Sequence, residues 1–282
     1  MSEEYNENDH KPIVNLDSLL EKSIISLDRP PERPPIIMKI GQKEGFKDYT
    51  KRRLLTLGNI STITGKGKSK KTFLSSMICA AFVSNNNVQN KFFSYLPKGK
   101  EYVIRFDTEQ GGYDAYRVGK VVKDLSGGYS DTYTVSNLRE YENRQRVDII
   151  DHAVKKFKGK IGVILIDGIA DLVSNINDIE ESKNVIQKLM TWTSIYNIHV
   201  CCVIHQNKDN GYATGHLGSE LIKKSEVVIS VVRQGDSSQV SCDNIRGAAE
   251  FDDFNFRINE DALPEIIENE DLSSYEVKEV EF

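Results

Sequence analysis

Cysteine is scarce in this sequence and carries no spacing. Four occur in 282 residues, none as C-x-x-C, which excludes the usual zinc-ribbon and dithiol patterns. Cys79 and the adjacent Cys201-Cys202 lie in apolar stretches, as buried reduced thiols do. Long apolar runs are also missing. No segment approaches a membrane-spanning length, and Met1–His10 is acidic without the apolar core of a leader. A soluble, cytoplasmic protein with no membrane partner is expected. Excess positive charge is lacking too. At a formal charge of −5, no global basic field argues for nucleic acid. One local exception stands out, because Lys66, Lys68, Lys70 and Lys71 crowd into a single loop.

The composition, 39% hydrophobic, suffices for one large core or two small ones. Residues 1–35 are polar and punctuated by Arg29-Pro-Pro-Glu-Arg-Pro-Pro35, with one short helical candidate at Leu16–Ile25, and read as a flexible arm. From about Ile36 to residue 262 the chain alternates strand-like and helix-like segments. Strands are predicted at Ile60–Thr64, Glu101–Phe106 and Thr132–Val135. Ile161–Ile166 is an unbroken apolar run, the mark of a strand covered on both faces, and His199–Ile204 reads as another buried run. Glu226–Val232, Gln239–Asp243 and Phe251–Ile258 read as later strands joined by hairpins. Helical spacing appears in Thr72–Val83, in Tyr113–Leu125, in Val147/Ile150/Val154/Phe157 and in Val185/Leu189/Trp192/Ile195. The fold class implied is α/β, with one mainly parallel sheet flanked by helices and a late antiparallel hairpin. Residues 263–282 are acidic and read as a tail.

The chemistry concentrates in Asn59-Ile-Ser-Thr-Ile-Thr-Gly-Lys-Gly-Lys-Ser-Lys-Lys-Thr-Phe73. A short β-branched strand enters a Gly/Lys/Ser loop that opens an apolar helix near Lys71. That is the order of a phosphate-binding loop, with Thr64, Gly65, Lys66, Gly67, Lys68, Ser69, Lys70, Lys71, Thr72 and Phe73 around the phosphates. Backbone N–H groups surround the phosphate, Lys71 reaches its oxygens, and the Thr72 hydroxyl ligates Mg²⁺. The pattern wants glycine at position 70, where this chain has lysine. A side chain there costs little only where φ is negative. Three further strand ends carry suitable groups, and ligand sites of open α/β sheets form at such ends. Glu109 is placed to orient or deprotonate an attacking water, Asp167 to hold Mg²⁺ and its waters, and His205 or Gln206 to sense a γ-phosphate. Singly, each has a plainer reading, as a turn-capping aspartate or a solvated loop start. Their occurrence in this order favours nucleotide hydrolysis.

Taken together, these residues resemble the RecA-like P-loop ATPases, and within them the plasmid replicative hexameric helicases of the RepA kind found on mobile elements. The resemblance runs from about Gly58 to Ile258. Val163-Ile-Leu-Ile-Asp-Gly-Ile-Ala-Asp-Leu172 resembles the Walker B strand, Phe106-Asp-Thr-Glu109 the segment of the catalytic glutamate, and His205-Gln-Asn-Lys208 the histidine motif. Leu217-Gly-Ser-Glu-Leu221 resembles the stretch after the second DNA-facing loop, and Asn244-Ile-Arg-Gly-Ala-Ala-Glu-Phe251 the late hairpin with its basic finger. The resemblance implies ATP and Mg²⁺ as cofactors, single-stranded DNA as partner and a hexameric ring. Arg246 would then reach a neighbouring subunit's γ-phosphate, or else be an exposed hairpin arginine. The glycine-rich loop Lys208–Gly218 would face DNA through Tyr212, His216 or Lys208, or serve only as a surface loop. Lys208, Lys223 and Lys224 are weaker candidates for inter-subunit or DNA contacts, and such lysines are more often solvated surface. The acidic tail ending in Phe282 is either a docking peptide for a partner protein or a solubilising segment. Two other functions fit the same residues: a core-only RecA-like single-strand annealing or recombination protein, and a non-hydrolysing, nucleotide-gated assembly or loading factor.

Overall fold

The computed structural model describes residues 15–44, 48–128, 131–206 and 213–267. The chain divides after Arg33 into two units. The first contains α1 (Leu16–Ser23), whose N-terminus is capped by the Asn15 side chain accepting from Ser18 N at 3.1 Å. Everything below concerns the second unit.

That unit begins with a hairpin, β1 (Ile36–Glu44) and β2 (Asp48–Thr56), followed by β3 (Ile60–Gly65) and α2 (Lys71–Ser84). Two short strands follow, β4 (Asn87–Val88) and β5 (Phe92–Ser94), then β6 (Tyr102–Asp107), α3 (Gly112–Leu125), β7 (Tyr133–Asn137) and α4 (Asn143–Lys156). Next come β8 (Ile161–Asp167), a 3-10 turn at Ile169–Leu172, α5 (Ile179–Tyr196), β9 (His199–His205) and α6 (Gly215–Lys224). The chain closes with β10 (Val227–Gln234), β11 (Ser237–Ile245), β12 (Phe254–Ile258) and β13 (Pro264–Ile267).

Nine strands form one sheet in the order β13-β12-β11-β10-β3-β9-β8-β6-β7. The six from β10 to β7 are parallel, and the three at the other edge are antiparallel. Alternation along the central strands feeds two cores. Ile63, Val103, Val163, Leu165, Cys201 and Val203 face α2, while Ile104, Ile164, Ile166, Val200, Cys202 and Ile204 face the layer holding Leu189, Trp192 and Leu217. Helix α2 lies between sheets and is buried on nearly every side, from Leu74 to Val83, so its sequence shows little amphipathic contrast.

Two features differ from the sequence-based expectation. A second, antiparallel sheet of order β2-β1-β5-β4 packs beside α2, where one sheet was predicted. Its hairpin carries Lys39, Lys43, Lys51, Arg52 and Arg53, which mask the apolar Ile37, Met38, Leu54 and Leu55 that reach the core. The main sheet also continues past residue 262, because Pro264–Ile267 pairs with β12. Residues 268–282 of the expected tail lie outside the described residues, and the expected strand at Phe251 starts at Phe254.

The sheet's lower end is closed by a buried polar network. His199 Nδ1–H donates to Thr56 O at 2.9 Å, and Ser61 Oγ lies 2.8 Å from Nε2. Glu226 accepts from Thr56 N at 2.7 Å and from Thr56 Oγ1 at 2.8 Å. A neutral ring is therefore fully satisfied, and burial lowers the His199 pKa from 6.5 to about 4. Above pH 6.5 the ring is neutral in both folded and unfolded states, so its contribution to stability is whole. As pH falls from 6.5 toward 4 the unfolded chain takes up the proton first, and about 3 kcal/mol of stability is lost. Several carboxylates with raised values oppose this trend, so the checkable quantity is a difference. In urea titrations across that pH window, wild type should lose about that much more stability than His199→Asn.

Candidate functional site

The upper ends of β3, β6, β8 and β9 converge, and they deliver Gly65, Asp107, Asp167 and His205 side by side. Register places Gly65 opposite His205 and Asp107 opposite Asp167. From Gly65 the chain turns through exposed Lys66, Gly67 and Lys68 into buried Ser69 and the start of α2. Glycine is required at 65. A Cβ there would stand 2.5 Å from Val231 O and 2.6 Å from Ser69 Oγ.

Lys70 departs from what would make it cheap. Its φ is +68°, the left-handed conformation that glycine adopts freely and a lysine enters at about 1–2 kcal/mol. The side chain leaves the loop sideways and donates to the carbonyl of Asp236 in the β10–β11 turn. Burial, then nearby Arg233, lower the pKa of this ammonium, while Asp236 opposes them.

Lys71 is buried and bonded within the loop. Its Nζ donates to Gly65 O at 2.8 Å and Lys66 O at 3.0 Å, and lies 3.1 Å from His205 Nδ1. Since a lysine ammonium only donates, Nδ1 accepts and the ring presents Nε2–H to Glu109 Oε1, 3.4 Å away. That contact from His205 is the main reason the Glu109 pKa lies below the usual carboxylate value. Glu109 is therefore an ionised acceptor at the cleft. Burial lowers the Lys71 pKa, against the pull of Asp167 and Glu109. Gln206 donates from Nε2 to Thr64 Oγ1 at 3.1 Å and from its backbone N to Gly65 O at 3.1 Å. It thus braces the strand that enters the loop.

Thr72 Oγ1 lies 3.4 Å from Asp167 Oδ2, so a hydroxyl and a carboxylate meet at the foot of the loop. Both are hard oxygen donors, which suits Mg²⁺ retaining several waters. Ser69 Oγ is buried without a hydrogen-bond partner and faces the same loop. An orphan donor in a phosphate loop is what an incoming phosphate oxygen would satisfy. The residues present thus fit both the nucleotide and the ion. From Lys71, Thr72 and Asp167 a cleft of about 680 Å³ extends past Phe73 to Val118, Val121 and Leu263.

Arg105 escaped the sequence reading. Fully buried on β6, it donates from Nη2 to Asp167 Oδ2 at 2.5 Å and from Nη1 to Ser75 Oγ at 3.1 Å. Burial pushes the Asp167 pKa up, and Arg105 works against that rise. An arginine inside the strand run Tyr102–Asp107 was the available signal, but its partner comes from a neighbouring strand. Arg105→Leu should destabilise the protein by about 3–5 kcal/mol, because it leaves Asp167 buried and unpaired. Calorimetric melting would show it.

Other expected residues lie elsewhere. Arg246, just past β11, lies beside the start of β10, at the opposite end of the parallel strands from the phosphate loop, and its Nη2 donates to Lys223 O at 3.1 Å at the end of α6. Leu217–Leu221 falls within α6. His216 is exposed on the first turn of that helix, whereas Lys208 and Tyr212 lie outside the described residues.

This architecture superposes on a solved structure of the RadB recombinase with a TM-score of 0.52 at 16% identity, covering 75% of this chain and 92% of that one. The fold is RecA-like. Neither the family models nor the curated proteins contain a match to this sequence. Among the described residues, no helix is long and apolar enough to cross a membrane.

Proposed function

We propose that this protein is a Mg²⁺-dependent ATPase acting on DNA, a RepA-like hexameric helicase or motor serving a plasmid, phage or transposon. The observation that carries the reading is the meeting of Lys71, Thr72, Asp167, Glu109 and His205 at four adjacent strand ends. Lys71 would leave the Gly65 and Lys66 carbonyls for the β- and γ-phosphate oxygens. Glu109, ionised and tethered by His205, accepts the proton of the attacking water. Thr72 and Asp167 would hold Mg²⁺, which when bound neutralises charge on the phosphates. As the ammonium moves, His205 loses its Lys71 partner, so the ring is placed to report nucleotide to the loop after β9. Arg246 would serve the site of an adjacent subunit once released from α6.

A second reading is single-strand recombination or annealing without unwinding, and the likeness to the RadB recombinase favours it. Steady-state phosphate release with and without single-stranded oligonucleotide tests the common part. Turnover stimulated by DNA is expected, and strand displacement then separates motor from recombinase. ATP binding without turnover under either condition overturns both and leaves a nucleotide-gated assembly factor.

A further inference from the structure

The lysine at position 70 keeps a strained backbone in a place where glycine would be relaxed, and its side chain is engaged outside the loop. Beyond the pairing of β3 with β10, the described residues show these contacts between the phosphate loop and the β10–β11 hairpin. The Val231 carbonyl closes on Gly65, leaving no room for a Cβ. Ser238 Oγ donates to Ser69 O at 3.1 Å. Lys70 Nζ donates to Asp236 O, across the turn itself. Only the last uses a charged donor, and only it reaches the tip of the turn. At its other end the hairpin runs through Ile245 into Arg246, whose backbone N donates to Glu226 O at 2.7 Å and whose guanidinium holds the last turn of α6. Helix α6 in turn follows the segment where Thr214 bonds His205 O at 2.7 Å. The loop, hairpin, α6 and the end of β9 therefore form a closed circuit of bonded elements.

From this geometry we infer that Lys70 is a positioning residue. It fastens the phosphate loop to the hairpin turn, so that the occupancy of this chain's own nucleotide site is felt along β11 as far as Arg246. A glycine would relax the loop but leave the hairpin unattached. The inference rests on the nucleotide-binding reading of the loop, and it adds to that reading a partner for the loop and a path out of it. Coupling of this kind requires an element that ligand holds differently from the empty state. The hairpin is that element.

The test is hydrogen exchange of the full chain with and without a non-hydrolysable ATP analogue, for wild type, Lys70→Met, Lys70→Gly and Ser238→Ala. Binding of a fluorescent ATP analogue is measured separately on each. In wild type the analogue should slow exchange across Ser237–Ile245 by about fivefold or more. In Lys70→Met and Lys70→Gly, each compared at an analogue concentration that saturates that variant, the change should fall below about twofold, with Ser238→Ala intermediate. Protection over Ser237–Ile245 that persists at wild-type amplitude in both Lys70 variants overturns the coupling and leaves the site reading intact. Wild type that binds no analogue overturns the site reading itself, and the coupling with it. If Lys70→Met does not fold, Lys70→Gly carries the comparison, since its backbone strain is removed.

Discussion

Lys71→Ala should lower ATP turnover by about 10²–10³-fold, the range for deleting one preorganised charge donor at a transferring phosphoryl group. The position of Nζ gives the reason. It is buried and held by the Gly65 and Lys66 carbonyls within the turn where phosphate oxygens would arrive. On the proposed mechanism, losing it would remove the cation that meets the developing charge, and it also removes the contact that holds His205 beside Glu109. Phosphate release under saturating ATP and oligonucleotide measures the first effect, and thermal melting guards against misfolding. A variant retaining more than about a tenth of wild-type turnover would mean that this lysine does not contact the reacting phosphate.

Glu109→Gln should also lose about 10²–10⁴-fold in turnover, with nucleotide affinity largely kept. Glutamine fills the same space beside His205 Nε2 but cannot take a proton. Single-turnover measurements with bound nucleotide separate the chemical step from binding. Asp167 cannot replace it, because its Oδ2 is committed to Arg105 and close to Thr72. Undiminished turnover in Glu109→Gln would move the water-activating role elsewhere in the cleft.

Much of this was legible because parallel central strands advertise themselves. Ile161–Ile166 and His199–Ile204 have no polar alternation, since both faces are covered, and the groups terminating them, Asp167 and His205, are where chemistry was expected. The loop and Thr72 follow from local order alone. What was hidden depends on partners far along the chain. Thr56 and His199 are 143 residues apart, and nothing near either one announces the other. Arg105 reads as a flaw in a strand until parallel pairing brings β8 beside it. Lys70 reads as a defect in a pattern, and only its φ and the Asp236 contact show where the side chain goes. The β1–β2 hairpin was obscured by its polar residues, although Ile37, Leu54 and Leu55 are buried.

The crest of the loop has a kinetic consequence. Lys66 and Lys68 stand exposed on either side of Gly67, while the whole chain carries a formal charge of −5. A nucleoside triphosphate approaching the cleft meets this basic crest first, against a net negative background. The association rate for a nucleoside triphosphate should therefore fall with ionic strength even where the bound complex, shielded within the cleft, dissociates at an unchanged rate.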